Sequence, residues 1–165
     1  MGVLKFGMAM ENQGLAFYMD FLPKVKDSGT KALFEALVKM EKDHYDYLSE
    51  QYQNLSRGKE VEDIKEEYES PEIFVARMEQ QDVSPEEPSL EELSTLRMAV
   101  LIEDNFMNFY QKAAADEEER SVKKLLSNLA QWEKSHKDAL GARYKKLMEK
   151  SNLYNLGDMS RYLML

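Results

Sequence analysis

The sequence predicts an all-α protein: an antiparallel four-helix bundle of two helix hairpins, with a long crossover between the second and third long helices. Three observations predict it. Apolar residues recur at three- and four-residue spacing through four long segments, the pattern of helices with one buried face. The two halves repeat, since Leu4/Leu96, Glu11/Glu103, Phe17/Phe109, Tyr18/Tyr110, Leu33/Leu125, Leu37/Leu129, Glu41/Glu133, His44/His136 and Leu48/Leu140 are identical pairs at one offset of 92 residues. The chain has 2 histidines, and both close a Glu-x-x-His motif, Glu41 to His44 and Glu133 to His136.

The first helix is expected over 3–25, with Leu4, Met8, Glu11, Leu15, Tyr18 and Leu22 on one face. Pro23 and the run Lys26-Asp27-Ser28-Gly29 mark its end and the turn. The second is expected over 29–57, with Leu33, Leu37, Met40, Glu41, His44, Leu48, Tyr52 and Leu55 on its inner face. A linker over 58–88 follows, rich in acids and proline. Within it, Ser70-Pro71 reads as an N-cap and first helical residue, which predicts a short helix over 71–79. Ser89-Leu90-Glu91-Glu92 has the capping-box pattern and starts the third long helix, which runs to Asp116 with Leu93, Leu96, Val100, Glu103, Met107 and Tyr110 inward. The break falls in Asp116-Glu117-Glu118-Glu119. The fourth helix then continues to Lys150 through Leu125, Leu129, Trp132, Glu133, His136 and Leu140. Residues 1–150 thus form one bundle domain. The tail 151–165, with Tyr154, Leu156, Tyr162 and Leu163, is expected to pack on a bundle end or a neighbouring subunit.

Composition narrows the function. A length of 165 residues suits a single core. A net charge of -9 argues against nucleic-acid binding, which needs clustered Lys and Arg. No apolar run approaches the length that crosses a bilayer, so no membrane partner is expected. The N-terminal residues lack a cleavage-site pattern, and no signal peptide is read there. With 0 Cys, thiolate metal sites, iron–sulfur clusters, disulfides and cysteine catalysis are excluded within this chain, and a cytoplasmic setting is expected.

The two motifs carry the chemistry. Positions i and i+3 share a helix face, so Glu41 points with His44 and Glu133 with His136. Glu11 lies 30 residues before Glu41, and Glu103 lies 30 before Glu133. Each pair is centred on a predicted turn, at residue 26 or residue 118. Fifteen helical residues at ~1.5 Å each set both members of a pair about 22 Å from that turn. Four carboxylates and two imidazoles therefore meet at one height, the ligand set of a carboxylate-bridged di-metal site. Four buried carboxylates repel one another, and two divalent cations neutralise them. Mixed oxygen and imidazole donors suit iron or manganese, with zinc as a substitute. Tyr18 and Tyr110, two turns beyond Glu11 and Glu103, are the candidate catalytic residues. They are read as donors to a ligand or as electron-transfer groups, and equally as core tyrosines. Asp46 and Asp138 are read as surface salt-bridge partners, and Trp132 as core.

The segments Met10-Glu11 through Phe17-Tyr18, Glu41 to His44, Glu103 through Phe109-Tyr110 and Glu133 to His136 resemble the rubrerythrin branch of the ferritin-like superfamily. The resemblance covers roughly residues 3–149. It implies a ferritin-like topology with two iron ions, Glu41 and Glu133 bridging them, Glu11 with His44 capping one and Glu103 with His136 capping the other. It also implies reduction of hydrogen peroxide or O2, re-reduction by an external electron-donor protein, and a homodimer. Simple iron handling without turnover is the alternative. Two departures stand out. The chain has no Cys-rich rubredoxin domain, and the family's extra glutamate one turn after the third-helix ligand is Phe106 here, with Gly14 as its repeat mate.

Overall fold

The computed structural model describes residues 2–62, 69–82 and 87–151. They form α1 (Gly2–Phe21), α2 (Ser28–Ser56), α3 (Pro71–Glu79), α4 (Leu90–Asp116) and α5 (Arg120–Lys150). No strand occurs among the described residues, and the fold is the all-α, ferritin-like helical bundle. No described helix is long and apolar enough to cross a membrane. The expected packing of the tail falls on residues 152–165, outside the described residues.

Each boundary has a local cause. α1 ends at Phe21 rather than 25, because Pro23 cannot continue a helix and restricts Leu22 before it. Asp27 caps α2, accepting from Thr30 N at 2.8 Å and from Thr30 Oγ1 at 2.7 Å. At the other end Gly58 takes φ 72°, a left-handed conformation that lets Lys59 N reach Asn54 O at 2.9 Å. Ser70 caps α3 as expected, and Ser89 caps α4 through Glu92 N at 3.1 Å. The acidic break before α5 needs neither Gly nor Pro. The Glu119 carboxylate itself serves as the cap, accepting from Ser121 N and Val122 N, each at 2.9 Å.

The capping-box expectation is corrected in one respect. The Glu92 carboxylate carries across to the first hairpin, where its Oε1 accepts from Lys26 N at 3.1 Å and Asp27 N at 2.9 Å. It thereby ties the start of α4 to the α1–α2 turn. α2 is 29 residues long, about 43 Å of helix, and its far end feeds the crossover. The chain therefore traverses the bundle before α4 begins. Helices α1 and α4 run antiparallel, as shown by Phe6 against Phe109 and by Tyr18 and Tyr110 each reaching the other helix's glutamate.

The buried face of α1 also differs from the expected stripe. Gly7, Met10, Glu11 and Gly14 are buried, while Met8 and Leu15 are only half-buried. Side chains from neighbouring helices use the space. A Cβ on Gly7 would lie 3.0 Å from Tyr110 Oη, and one on Gly14 would lie 2.8 Å from Glu41 Oε2. Two apolar clusters fill the interior. One includes Tyr18, Phe34, Leu37, Phe74, Leu96 and Leu140. The other includes Leu4, Tyr47, Leu48, Tyr110, Leu129 and Trp132. On every long helix the candidate ligands lie between the residues of these two clusters.

Candidate metal centre

Glu11, Glu41, His44, Glu103, Glu133 and His136 come together at mid-bundle, and none is more than 3% exposed. Ligand atoms of Glu41, His44, Glu133 and His136 all lie within 4.8 Å of one another. Both imidazoles turn Nδ1 toward the carboxylates. His44 Nδ1 lies 3.3 Å from Glu11 Oε2 and 3.1 Å from Glu133 Oε1. His136 Nδ1 lies 3.3 Å from Glu103 Oε2, 3.3 Å from Glu133 Oε2 and 3.2 Å from Glu41 Oε1. Glu11 thus sits with His44, Glu103 with His136, and Glu133 spans both.

Of these contacts, His136 Nδ1 with Glu103 Oε2 makes a hydrogen bond, and most of the other atoms are left unsatisfied. Glu11 Oε2, both oxygens of Glu41, both of Glu133, His44 Nδ1 and His136 Nε2 are buried and lack a hydrogen-bond partner, despite the short separations. Each such polar atom costs about 1–3 kcal/mol, and a buried unpaired charge costs more. Native proteins rarely leave so many together. The donor set, carboxylate oxygen and imidazole nitrogen aimed at common points, fits divalent cations.

The electrostatics agree. Burial pushes the Glu41 carboxyl well above the usual range, and Glu103 and Glu133 add to it. Burial likewise takes Glu103 up to about 8, against the pull of His136. Burial would raise Glu133 too, but the two imidazoles beside it hold it below the carboxylate range. For His44, burial alone would lower the pKa, yet Glu11 and Glu133 override this and push it up to about 9. His136 is raised in the same way, against burial, by Glu133, Glu103 and Glu41. Without cations, protons on the imidazoles and on the Glu41 and Glu103 carboxyls do the neutralising.

Tyr18 and Tyr110 reach across the hairpins. The Tyr18 hydroxyl donates to Glu103 Oε1, and the Tyr110 hydroxyl donates to Glu11 Oε1. Burial and the neighbouring carboxylates raise both phenols well above their ordinary value, so both remain donors. Each holds one oxygen of a terminal glutamate and leaves Oε2 facing its histidine. Asp46 and Asp138 lie away from the site in exposed i, i+4 pairs with Lys42 and Lys134, as the sequence indicated.

Two neighbours were not legible as site residues, and a third, Gly14, was marked only as the repeat mate of Phe106. The Trp132 ring stacks on His44, with centroids 4.7 Å apart and planes at 19°. Phe74 of α3 meets His136 edge to face at 5.4 Å. Gly14 opens a hollow that the Glu41 carboxylate and the Phe106 ring share. The exchange of Gly14 for Phe106 at matched repeat positions was the available signal for that hollow. A surface cleft of about 900 Å³ between α2 and α3 is lined by Lys39, Met40, Asp43, Glu69 and Arg77 among others, but by none of the six.

A family model described as Rubrerythrin matches residues 2–148. A solved structure of a hypothetical protein from Pyrococcus furiosus is 24% identical, with 90% of each chain covered and a TM-score of 0.66. That likeness speaks to the fold. No curated protein matches the chain.

Proposed function

The chain belongs to the rubrerythrin family, and on that premise we propose that it is a di-iron protein that reduces hydrogen peroxide or O2 by two electrons. The family and the buried Glu/His cluster fit a di-iron carboxylate protein. One observation carries the reading: the seven unpartnered polar atoms of Glu11, Glu41, His44, Glu133 and His136, gathered in one buried place.

Glu11 with His44, and Glu103 with His136, would each hold one iron, and Glu41 and Glu133 would lie between them. Bound there, the iron pair would supply the electrons and the Lewis acidity. The chain supplies the rest. Four carboxylates balance the charge of two divalent cations. Tyr18 and Tyr110 fix the terminal glutamates and keep their own protons at Oη. Trp132, Phe106 and Phe74, all buried, exclude bulk water and keep the local dielectric low. Re-reduction needs an external electron-donor protein, since the chain has no cysteine for a cluster. A homodimer and a cytoplasmic setting belong to the same proposal.

Iron handling without turnover is the second reading, and Phe106 favours it. Its ring, against Gly14, occupies the position where the resembled family carries a further glutamate. The test has two parts. Protein purified without added metal should carry about two iron or manganese per chain, lost in a Glu41→Ala, Glu133→Ala double variant. Anaerobic peroxide addition with a reductant then separates the readings. Multiple turnovers support the oxidoreductase, and a single oxidation event per site supports storage. No metal in the native protein, and no ferrous uptake, removes both.

A further inference from the structure

We infer that Trp132 makes the two halves of this centre unequal, so that the cation held by Glu11 and His44 binds first and more tightly than the one held by Glu103 and His136. The inference rests on the metal-centre reading above and adds an order of loading to it.

The six candidate ligands and both tyrosines repeat identically at the offset of 92, so the ligands alone predict two equal half-sites. The surroundings break the symmetry. Trp132 has Met40 as its repeat mate. The indole lies face-on to the His44 ring at 4.7 Å and 19°. A second nearly parallel ring, His136, lies 5.2 Å from His44 at 8°. His44 is thereby held against two parallel rings, and its neighbour Trp132 is itself only 4% exposed. His136 has one parallel neighbour, His44, and meets Phe74 at 70°.

Two physical consequences favour the His44 half. A ring already immobilised loses less freedom when it takes a cation. An imidazole gains positive character once it holds a cation, and the electron-rich indole face attracts it in a dry environment. Glu41 approaches His136, at 3.2 Å, which adds negative charge on the other side. Glu133, not Glu41, is the carboxylate that reaches both imidazoles, and the rings carry the difference against the pull of Glu41. The expected preference is roughly threefold to thirtyfold in affinity.

The chain has 1 Trp, and its indole is stacked on His44, so its fluorescence reports most directly on the His44 half. Metal-free protein would be titrated anaerobically with Co2+, following indole fluorescence and Co2+ visible absorption together. Quenching should saturate near one equivalent while absorption grows to two. Trp132→Met, which installs the residue of the repeat mate, should merge the two absorption steps into one. Trp132→Phe, which keeps a ring beside His44, should keep them apart. Quenching that rises in proportion to absorption up to two equivalents overturns the order of loading, and needs no variant. Two resolved steps that survive in Trp132→Met overturn the assignment to Trp132. Failure of the wild type to take up any Co2+ is a different result: it removes the metal-centre reading and this inference with it.

Discussion

At the residue scale the cluster is a set of carboxylate oxygens placed by their neighbours, and the neighbours can be tested singly. Tyr18→Phe removes the donor to Glu103 Oε1 and leaves that oxygen buried without it. Leaving a buried acceptor unsatisfied costs about 1–3 kcal/mol, so the metal-free variant should lose stability of that order in urea unfolding. It should also hold metal less tightly, because Glu103 is no longer oriented. The Tyr110→Phe variant should behave alike through Glu11. Gly14→Ala and Gly141→Ala form a matched contrast. A Cβ at Gly14 would press on Glu41 Oε2 from 2.8 Å, whereas nothing lies within 4 Å of one at Gly141. Gly141→Ala should therefore stabilise α5 by roughly 0.5–1 kcal/mol, since alanine has less freedom to lose. Gly14→Ala should lower metal affinity, and equal metal content in the two purified variants would refute that role for the hollow.

At the element scale the question is what holds the crossover and both hairpins in register. Arg143, near the end of α5, answers it. Its Nε donates to Asp27 Oδ2 at 2.8 Å, and its Nη2 pairs with the same oxygen. Nη1 donates to Gln81 O at 3.1 Å, and Nη2 donates to Asp82 O at 2.6 Å. One guanidinium thus joins α5, the α1–α2 turn and the segment after α3. Gly29 leaves the room for it, since a Cβ there would collide with the guanidinium. Both charges are only 4% exposed. Removing one partner of a buried pair costs about 3–5 kcal/mol because the other is left uncompensated. Arg143→Ala should lose stability on that scale in a denaturant titration. A loss under about 1 kcal/mol would mean that the clasp is dispensable. None of this was readable from periodicity, because Asp27 and Arg143 are 116 residues apart and each alone reads as a surface charge. The helices themselves were readable. The Ser70 and Ser89 caps lie where the sequence put them, since a cap is a local interaction between a side chain and the next turn.

At the scale of the whole molecule, the cluster couples stability to pH and to cations. His44 holds its proton more tightly when folded, up to about 9 against an ordinary 6.5. Its contribution is complete below 6.5 and is lost as pH rises through 9. Glu103, raised to about 8, works in the same direction: its contribution is complete below the ordinary 4.5 and is lost as pH rises through 8. Glu133, lowered, contributes above the ordinary carboxylate range and loses its effect only on acidification. Metal-free protein should therefore show a Tm that falls as pH rises from 6.5 to 9, measured with a chelator present. Added divalent cation should raise Tm most at the alkaline end, where it replaces the lost protons. At 100 times Kd the stabilisation is about 2.7 kcal/mol for one site. A Tm that is flat from 6.5 to 9 would contradict the coupling. By itself the sequence determined the helices, the internal repeat and the six residues that meet. Helical periodicity is local, and residues equally far from a turn share a height. Only the tertiary structure decided that each tyrosine serves the opposite hairpin, that α1 buries its glycines, and that Trp132 lies on His44 while Phe74 lies on His136. Those outcomes depend on how four helix surfaces fit together, and that fit is a property of pairs of surfaces rather than of any one helix.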